Sequence, residues 1–139
     1  MFEVSVEETF SAGHALRGYR GKCENVHGHN YRVRVTVDGP ALDEIGLLYD
    51  FSHLKKTIRE VIEGVDHRFL NDQAPFDVLN PSAENIAKYF YEEISRGMPR
   101  PLNGARISRI DLWETDTTYA TYWPEPAAPG KAGRQKERP

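Results

Sequence analysis

The stretch from Val26 to Val37 constrains the fold most, because its side chains alternate in character with a period of two. Successive side chains of a β-strand point to opposite faces of the sheet, so this alternation predicts a half-buried strand. The apolar face carries, at every second position, His27, His29, Tyr31 and Val33, followed by two further valines. Polar side chains occupy the other face: Asn30, Arg32, Arg34 and Thr36. Two histidines, separated by a glycine, therefore continue the apolar face near the start of the strand.

A second alternating stretch begins at Phe2 and keeps its parity through Phe10 and Ala12 to His14. If the strand runs that far, His14 also lies on the apolar face, near the strand's end. Taken alone, this residue is better explained as a core histidine with a satisfied hydrogen bond. Beside two further histidines the metal-ligand interpretation is the stronger one, because a zinc site takes at least three protein ligands.

Cys23 lies just upstream of the histidine pair and has two candidate roles. It is either a fourth metal ligand or a reactive thiol beside the metal. A lone cysteine cannot form an internal disulfide, and the first residues lack a basic segment followed by an apolar one. Both features predict a reduced, cytoplasmic setting without a secretory signal.

Composition limits the classes of partner. With 139 residues and a formal net charge of −3, the chain is expected to form one domain with a sizeable core. The charge gives no reason to expect a nucleic-acid or membrane partner, and no apolar run is long enough to span a bilayer.

Two stretches have helical periodicity. The first opens near Asp50 or Ser52, either of which suits an N-cap, and ends at Gly64; His53 lies off its apolar stripe and is expected at the surface. The second opens near Pro81, which suits the first turn. Strands are predicted again at residues 105–113 and 118–123.

The order of elements is two strands, two helices and two strands. This predicts an α+β fold, a four-stranded antiparallel sheet with two helices on one face, in ββααββ order. We expect a single domain over residues 1–123 and a disordered tail over residues 124–139, which has no apolar residue larger than alanine. A small open sheet has two bare edges, so assembly through them is also expected.

Several polar residues allow both a structural and a functional interpretation. Asp66 and His67 are either loop residues or a proton-transfer pair, and their adjacency does not decide between these. Glu114 is either a solvated turn residue or an anchor for a ligand that offers two N–H donors. Glu84 in a first helical turn is accounted for by the helix dipole.

The loop before Cys23 carries three basic residues and two glycines. It is either a solvated loop or the site of an anion such as phosphate. Its basic residues are Arg17, Arg20 and Lys22.

Taken together, these motifs resemble the family of 6-pyruvoyltetrahydropterin and 6-carboxytetrahydropterin synthases, which have the tunnelling fold. The likeness extends from Phe2 to Trp123 and depends on six motifs in a fixed order. They are Phe10-Ser11-Ala12-Gly13-His14, Cys23-x-x-x-His27-Gly28-His29, residues 48–55, Asp66-His67-x-x-Leu70-Asn71, Asn80-Pro81-Ser82-x-Glu84-Asn85 and Glu114-Thr115.

The resemblance implies a role for each candidate residue. The three histidines would bind Zn²⁺ and leave a fourth position open, and Cys23 would be the general base. Asp66 and His67 would complete the proton-transfer machinery. Glu114 would anchor the pterin ring, and Glu84 with Ser82 would help to line the pterin pocket. Members of the family form trimers stacked into hexamers, with sites between subunits, so the resemblance also implies a homo-oligomer.

The implied reaction starts from 7,8-dihydroneopterin triphosphate. The spacing of Cys23 from His27 is similar to that of the bacterial branch, which forms 6-carboxy-5,6,7,8-tetrahydropterin for 7-deazapurine (queuosine) biosynthesis and releases acetaldehyde and triphosphate. Glu24 leaves a 6-hydroxymethylpterin-forming enzyme open, and a 6-pyruvoyl-forming enzyme is a further alternative. Two other classes remain: a pterin-binding module without activity, and a structural zinc domain in which Cys23 is a ligand.

Overall fold

The computed structural model describes residues 1–21 and 24–125. Lys22, Cys23 and residues 126–139 of the predicted tail lie outside the described residues. The elements in chain order are β1 (Phe2–His14), β2 (His27–Gly39), α1 (Phe51–Glu63), β3 (Arg68–Phe69), a 3-10 helix (Leu70–Asp72), α2 (Ala83–Gly97), β4 (Arg106–Thr115) and β5 (Thr118–Tyr122). The predicted α+β class, with two helices between two pairs of strands, is confirmed.

The sheet differs from the prediction in one respect: it has five strands, in the order β3-β1-β2-β4-β5. The additional strand, β3, pairs with β1 in parallel through Ala12 with Arg68 and Gly13 with Phe69. The prediction of four antiparallel strands was therefore incomplete. A strand of two residues is too short to show any alternation in sequence, and only its long-range pairing defines it.

The pairing of β1 with β2 determines where the histidines lie. Phe10 faces Tyr31 across the two strands, and His14 faces His27. Both strands keep the parity expected from the sequence, so the apolar residues and the histidines share one face. The histidines lie at the end of β1 and the start of β2, at one margin of the core.

Both helices pack on that face. α1 contacts β1, and α2 contacts β4 and β5. Asp50 caps α1 by accepting a hydrogen bond from the Ser52 N–H at 2.7 Å, and Ser82 caps α2 by accepting one from the Asn85 N–H at 3.2 Å. His53 is exposed, as predicted. Within the described residues, neither helix has the length and apolar composition needed to cross a membrane.

Candidate metal centre and active site

Three histidine side chains meet where β1 ends and β2 begins. Each offers one ring nitrogen, and these nitrogens all lie within 4.8 Å of one another. The ring centroids of His14, His27 and His29 are 4.4 to 5.1 Å apart. His14 is buried at 1% exposure, and the other two are half-buried. The fold thus brings together the three residues that the sequence marked as metal ligands.

Backbone carbonyls fix the orientation of two of the rings. The His14 Nδ1 lies 2.6 Å from the Pro81 carbonyl oxygen, and the His27 Nδ1 lies 2.7 Å from that of Asn25. A carbonyl oxygen can only accept, so each Nδ1 must carry the proton and donate it. Each neutral ring then directs an unprotonated Nε2 towards the centre. Orientation of a ligating imidazole through its other nitrogen is typical of metal sites.

The arrangement of ring nitrogens is unfavourable without a cation. The two unprotonated Nε2 atoms of His14 and His27 are 2.9 Å apart, so their lone pairs face each other. The His29 Nε2 is buried and has no hydrogen-bond partner among the described residues. A metal ion among the three nitrogens would satisfy all of them, so this donor set fits the expected metal.

Burial also favours the unprotonated form of two of these side chains, His14 and His29. It lowers the pKa of His14, an effect that the Pro81 carbonyl and the Glu114 carboxylate oppose. Burial likewise lowers the pKa of His29, against the Glu114 charge. A ligating imidazole must be unprotonated, so a lowered pKa favours metal binding at neutral pH.

Asp66 and His67 form a hydrogen-bonded pair. The His67 Nδ1 lies 3.0 Å from the Asp66 Oδ1, and the same oxygen accepts the Ser11 N–H at 2.9 Å. His67 has a positive φ of 55°, an uncommon conformation for a residue other than glycine, and its own N–H donates to the Ser11 carbonyl at 2.6 Å. These bonds attach the pair to β1 shortly before His14.

The His67 side chain of this pair lies in a solvent-exposed depression near the histidine cluster. The His67 side chain is 81% exposed and lines a depression of about 570 Å³ together with Ser11, Asn30 and two of the metal-site histidines, His27 and His29. Ser11 and Asn30 belong to the polar face of the sheet, so this depression borders the strand segments that carry His27 and His29.

The hydrogen bonds to Asp66 predict a pH dependence of stability. The Ser11 N–H, and secondarily His67, hold the pKa of Asp66 below its ordinary value of 3.8. A carboxylate with a depressed folded-state pKa stabilises the fold above its unfolded-state pKa, and this contribution is lost as the pH falls below about 3.8 towards the lower folded-state value. We therefore expect Asp66→Asn to show a shallower loss of stability than wild type in that range, measured by urea unfolding at stepped pH. Asp77→Asn, which changes an exposed aspartate, should keep the wild-type profile; if Asp66→Asn also kept it, the assignment would be wrong.

The three residues expected around the pterin lie in different settings. The Glu114 Oε1 is 4.0 Å from the His14 Nε2, and this side chain is 27% exposed, so it borders the metal centre. Glu84 is exposed in the first turn of α2. Ser82 acts as the N-cap of that helix, and the neighbouring Pro81 carbonyl orients His14. The start of α2 is therefore connected directly to the metal centre.

The basic loop divides into an anchored part and an exposed part. The Arg17 guanidinium donates to the carbonyls of Phe76 at 2.7 Å and Leu79 at 2.9 Å. Arg20 is exposed, and Lys22 lies outside the described residues. Arg17 thus has a structural contact that the sequence did not indicate, whereas Arg20 faces solvent.

Two asparagines hold the chain where it leaves β1. The Asn71 side chain accepts from the Ala15 N–H at 2.9 Å and donates to the Ala15 carbonyl at 2.8 Å. Asn80 makes the same pair of bonds with the backbone of Arg17. Both asparagines belong to the motifs quoted above, but their structural role could not be derived from sequence, because each bond joins residues far apart in the chain.

A family model and two curated relatives all match this chain over most of its length, and all three are pterin synthases. The family model described as 6-pyruvoyl tetrahydropterin synthase matches residues 3–125. A 6-carboxy-5,6,7,8-tetrahydropterin synthase of Bacillus subtilis is 34% identical, over 89% of this chain and 86% of its own. A 6-pyruvoyl tetrahydrobiopterin synthase of Poecilia reticulata is 35% identical, over 83% of this chain and 85% of its own.

A solved structure agrees with these relatives. The 6-pyruvoyl tetrahydropterin synthase of Caenorhabditis elegans superimposes with a TM-score of 0.76 and 32% identity, covering 89% of this chain and 97% of that one.

Proposed function

Because the chain belongs to the 6-pyruvoyl tetrahydropterin synthase family, we propose that it is a zinc-dependent lyase of 7,8-dihydroneopterin triphosphate. One water is consumed, and the proposed products are 6-carboxy-5,6,7,8-tetrahydropterin, acetaldehyde and triphosphate. The convergence of three imidazole nitrogens within 4.8 Å is the observation that carries this proposal. Three neutral histidines leave the charge of a bound Zn²⁺ uncompensated and one coordination position open, as in catalytic zinc sites.

The chemistry of the substrate side chain suits this centre. His14, His27 and His29 would hold the zinc ion, which would supply Lewis-acid polarisation of the substrate side chain. Cys23, as a thiolate, would take a proton from carbon, since a nearby cation lowers the pKa of a thiol. His67, held in one orientation by Asp66, would move the second proton at its Nε2.

The remaining site residues would hold the pterin. Glu114 would accept hydrogen bonds from the pterin amino group and a ring N–H, because a carboxylate accepts two parallel donors. Its position near His14 would then set the substrate side chain against the metal centre. Ser82 and Glu84, at the start of α2, would line the same pocket.

Three reactions of this family differ in the product that they form from the same substrate. The short spacing between Cys23 and His27 favours the carboxy-forming reaction, and with it a place in 7-deazapurine biosynthesis in the cytoplasm. The relatives carry both names at nearly equal identity, which makes the 6-pyruvoyl-forming reaction the second candidate. The hydroxymethyl-forming reaction, favoured by Glu24 beside the thiol, is a third outcome of the same assay.

The direct test is product identification. Zinc-loaded protein is incubated with 7,8-dihydroneopterin triphosphate, and the products are identified by mass spectrometry. The proposal predicts 6-carboxy-5,6,7,8-tetrahydropterin and an equimolar amount of acetaldehyde. A 6-pyruvoyl product without acetaldehyde would move the protein to the second branch. Bound zinc without any turnover would favour the pterin-binding module instead.

We assign the triphosphate to the basic loop, with Arg20 and Lys22 as its contacts. Removing both charges should raise KM for the triphosphate by roughly tenfold, the scale of one or two hydrogen bonds to a charged group. The variant Arg20→Ala/Lys22→Ala leaves Arg17 and its carbonyl contacts in place. Its affinity for 7,8-dihydroneopterin, which lacks the phosphates, should stay at the wild-type level.

Arg17 provides the contrast within the same loop. Because its guanidinium donates to the Phe76 and Leu79 carbonyls, Arg17→Ala is expected to lower the stability of the fold. If the double variant had the wild-type KM, the loop would have no role in triphosphate binding.

We further propose that the chain assembles into trimers and hexamers with sites between subunits. The high exposure of His67 supports this, since a proton-transfer residue is expected to be sheltered in the working site. Co-expression of Cys23→Ala with His67→Ala tests it. If the two residues serve one site from different chains, random pairing should restore about a quarter of the wild-type activity. Sedimentation velocity should then show no free monomer, and a monomer with full activity would contradict the assembly.

A further inference from the structure

Tyr31 is a buried side chain that neither the metal centre nor the proton-transfer pair accounts for. Its exposure is 0%. Its ring stacks on Phe10 with a centroid distance of 4.9 Å and an interplanar angle of 11°. The rings of His14 and His29 approach it edge-on at 5.9 and 5.5 Å. The ring therefore forms the floor of the metal centre on the core side.

The hydroxyl of Tyr31 is the unexplained part of this side chain. It is buried and has no hydrogen-bond partner among the described residues. A buried O–H without a partner is unfavourable, because the group loses its water without compensation. If only packing mattered here, phenylalanine would fill the same space without that cost. The hydroxyl thus indicates a polar partner that acts in the working site.

Glu114 is the carboxylate that can become this partner, although the two side chains are not hydrogen-bonded in the structure. The strand pairing of β2 with β4 reaches Arg32 and Trp113, which are the residues next to Tyr31 and Glu114. β4 has a register irregularity between Trp113 and Thr115, so the contact of Glu114 with His14, and not strand alternation, shows on which side its carboxylate lies. The Glu114 carboxylate also lies 4.0 Å from the His14 Nε2, and the His14 ring borders Tyr31.

The chemistry of the two groups suits a hydrogen bond from the Tyr31 phenol to the Glu114 carboxylate. A phenol offers one O–H donor and an ionised carboxylate only accepts hydrogen bonds, so Tyr31 is the donor of this pair. The Glu114 carboxylate has about four lone-pair positions, which suffice for one bond from Tyr31 and two from a ligand.

We propose that Tyr31 is a positioning residue whose hydroxyl donates to the Glu114 carboxylate in the pterin-bound site and fixes the orientation in which Glu114 holds the pterin. This inference rests on the proposed function, since it takes Glu114 as the pterin anchor. It adds a specific role for the hydroxyl: without it, Glu114 would be free to turn towards the metal-site histidines or solvent.

Tyr31→Phe tests the proposal, because it removes the hydroxyl and leaves the ring. We expect the variant to bind 7,8-dihydroneopterin about tenfold more weakly, the effect of one hydrogen bond to a charged group, as measured by pterin fluorescence titration. KM for the triphosphate should rise by a similar factor, with kcat and zinc content close to wild type. Tyr89→Phe, which removes a half-buried hydroxyl from α2, is the matched control and should leave all of these values unchanged.

A double-mutant cycle separates positioning of Glu114 from a general effect on the pocket. In a Glu114→Gln background, Tyr31→Phe should weaken pterin binding by much less than in wild type, since the charged acceptor is gone. Full additivity, or a Tyr31→Phe variant with wild-type pterin affinity, would overturn the inference. Wild-type protein that binds 7,8-dihydroneopterin but does not convert the triphosphate would overturn the proposed function alone, and the cycle would still decide on Tyr31.

Discussion

Replacing His29 with alanine is expected to abolish stoichiometric zinc binding and to lower kcat/KM by at least about 10³-fold. The three ring nitrogens lie within 4.8 Å of one another, so the loss of one leaves two protein ligands, fewer than a catalytic zinc site uses. Zinc content is measured by inductively coupled plasma mass spectrometry after gel filtration, and turnover is measured on the same sample.

The fold itself should survive this substitution. The His29 Nε2 is buried without a partner among the described residues, so removing the ring from the metal-free protein breaks no hydrogen bond of that atom. His53→Ala is the matched control, because this histidine is exposed in α1, and it should keep both zinc and activity. A His29→Ala protein that retained one zinc per chain would show that the metal is bound elsewhere.

The clustering of the three histidines is the part of the candidate site that sequence predicts well. In a strand, the face of a residue follows from its parity, and this parity holds over the whole of β1 and β2. The apolar residues before His14 and after His29 therefore determine which way these two histidines point. The cross-strand pairing of His14 with His27 then follows once the two strands form a hairpin with matched ends.

Other features depend on contacts between distant parts of the chain. The bond between the Ser11 N–H and Asp66 joins residues 55 positions apart, and the bond between His14 and Pro81 joins residues 67 positions apart. No local period records such contacts, so the sequence left the Asp66–His67 pair undecided. The same reason explains why β3 escaped prediction, since its two residues are defined only by pairing with β1.

Sequence patterns also predict whether a residue is buried, but they do not show which hydrogen bonds its polar atoms make. Tyr31 occupies an apolar position of β2 and is predicted as core, which its complete burial confirms. The hydroxyl without a partner becomes visible only in three dimensions. Arg17 is a second case: a basic residue in a glycine-containing loop suggests an anion site, and only the structure shows that its Nη2 also donates to two backbone carbonyls.

Replacing Cys23 with alanine is expected to leave zinc content unchanged and to lower kcat by about 10² to 10⁴-fold, the usual contribution of a positioned general base. The expected result follows from the cluster of three histidines, which would supply all the protein ligands of a catalytic zinc site without the thiol. Zinc content and single-turnover rates on the same preparation measure both parts of the prediction.

Cys23→Ser gives the matched control for size, because a hydroxyl is close in volume to a thiol but far less acidic. If Cys23 acts as a base, serine should be nearly as inactive as alanine, and the activity of neither variant should depend on added zinc. If Cys23 is instead a fourth ligand of a structural site, alanine should lose zinc and stability together, and the wild-type protein should lack an open coordination position. The two outcomes differ in metal content, so this substitution separates a catalytic centre from a structural one even before the substrate is known.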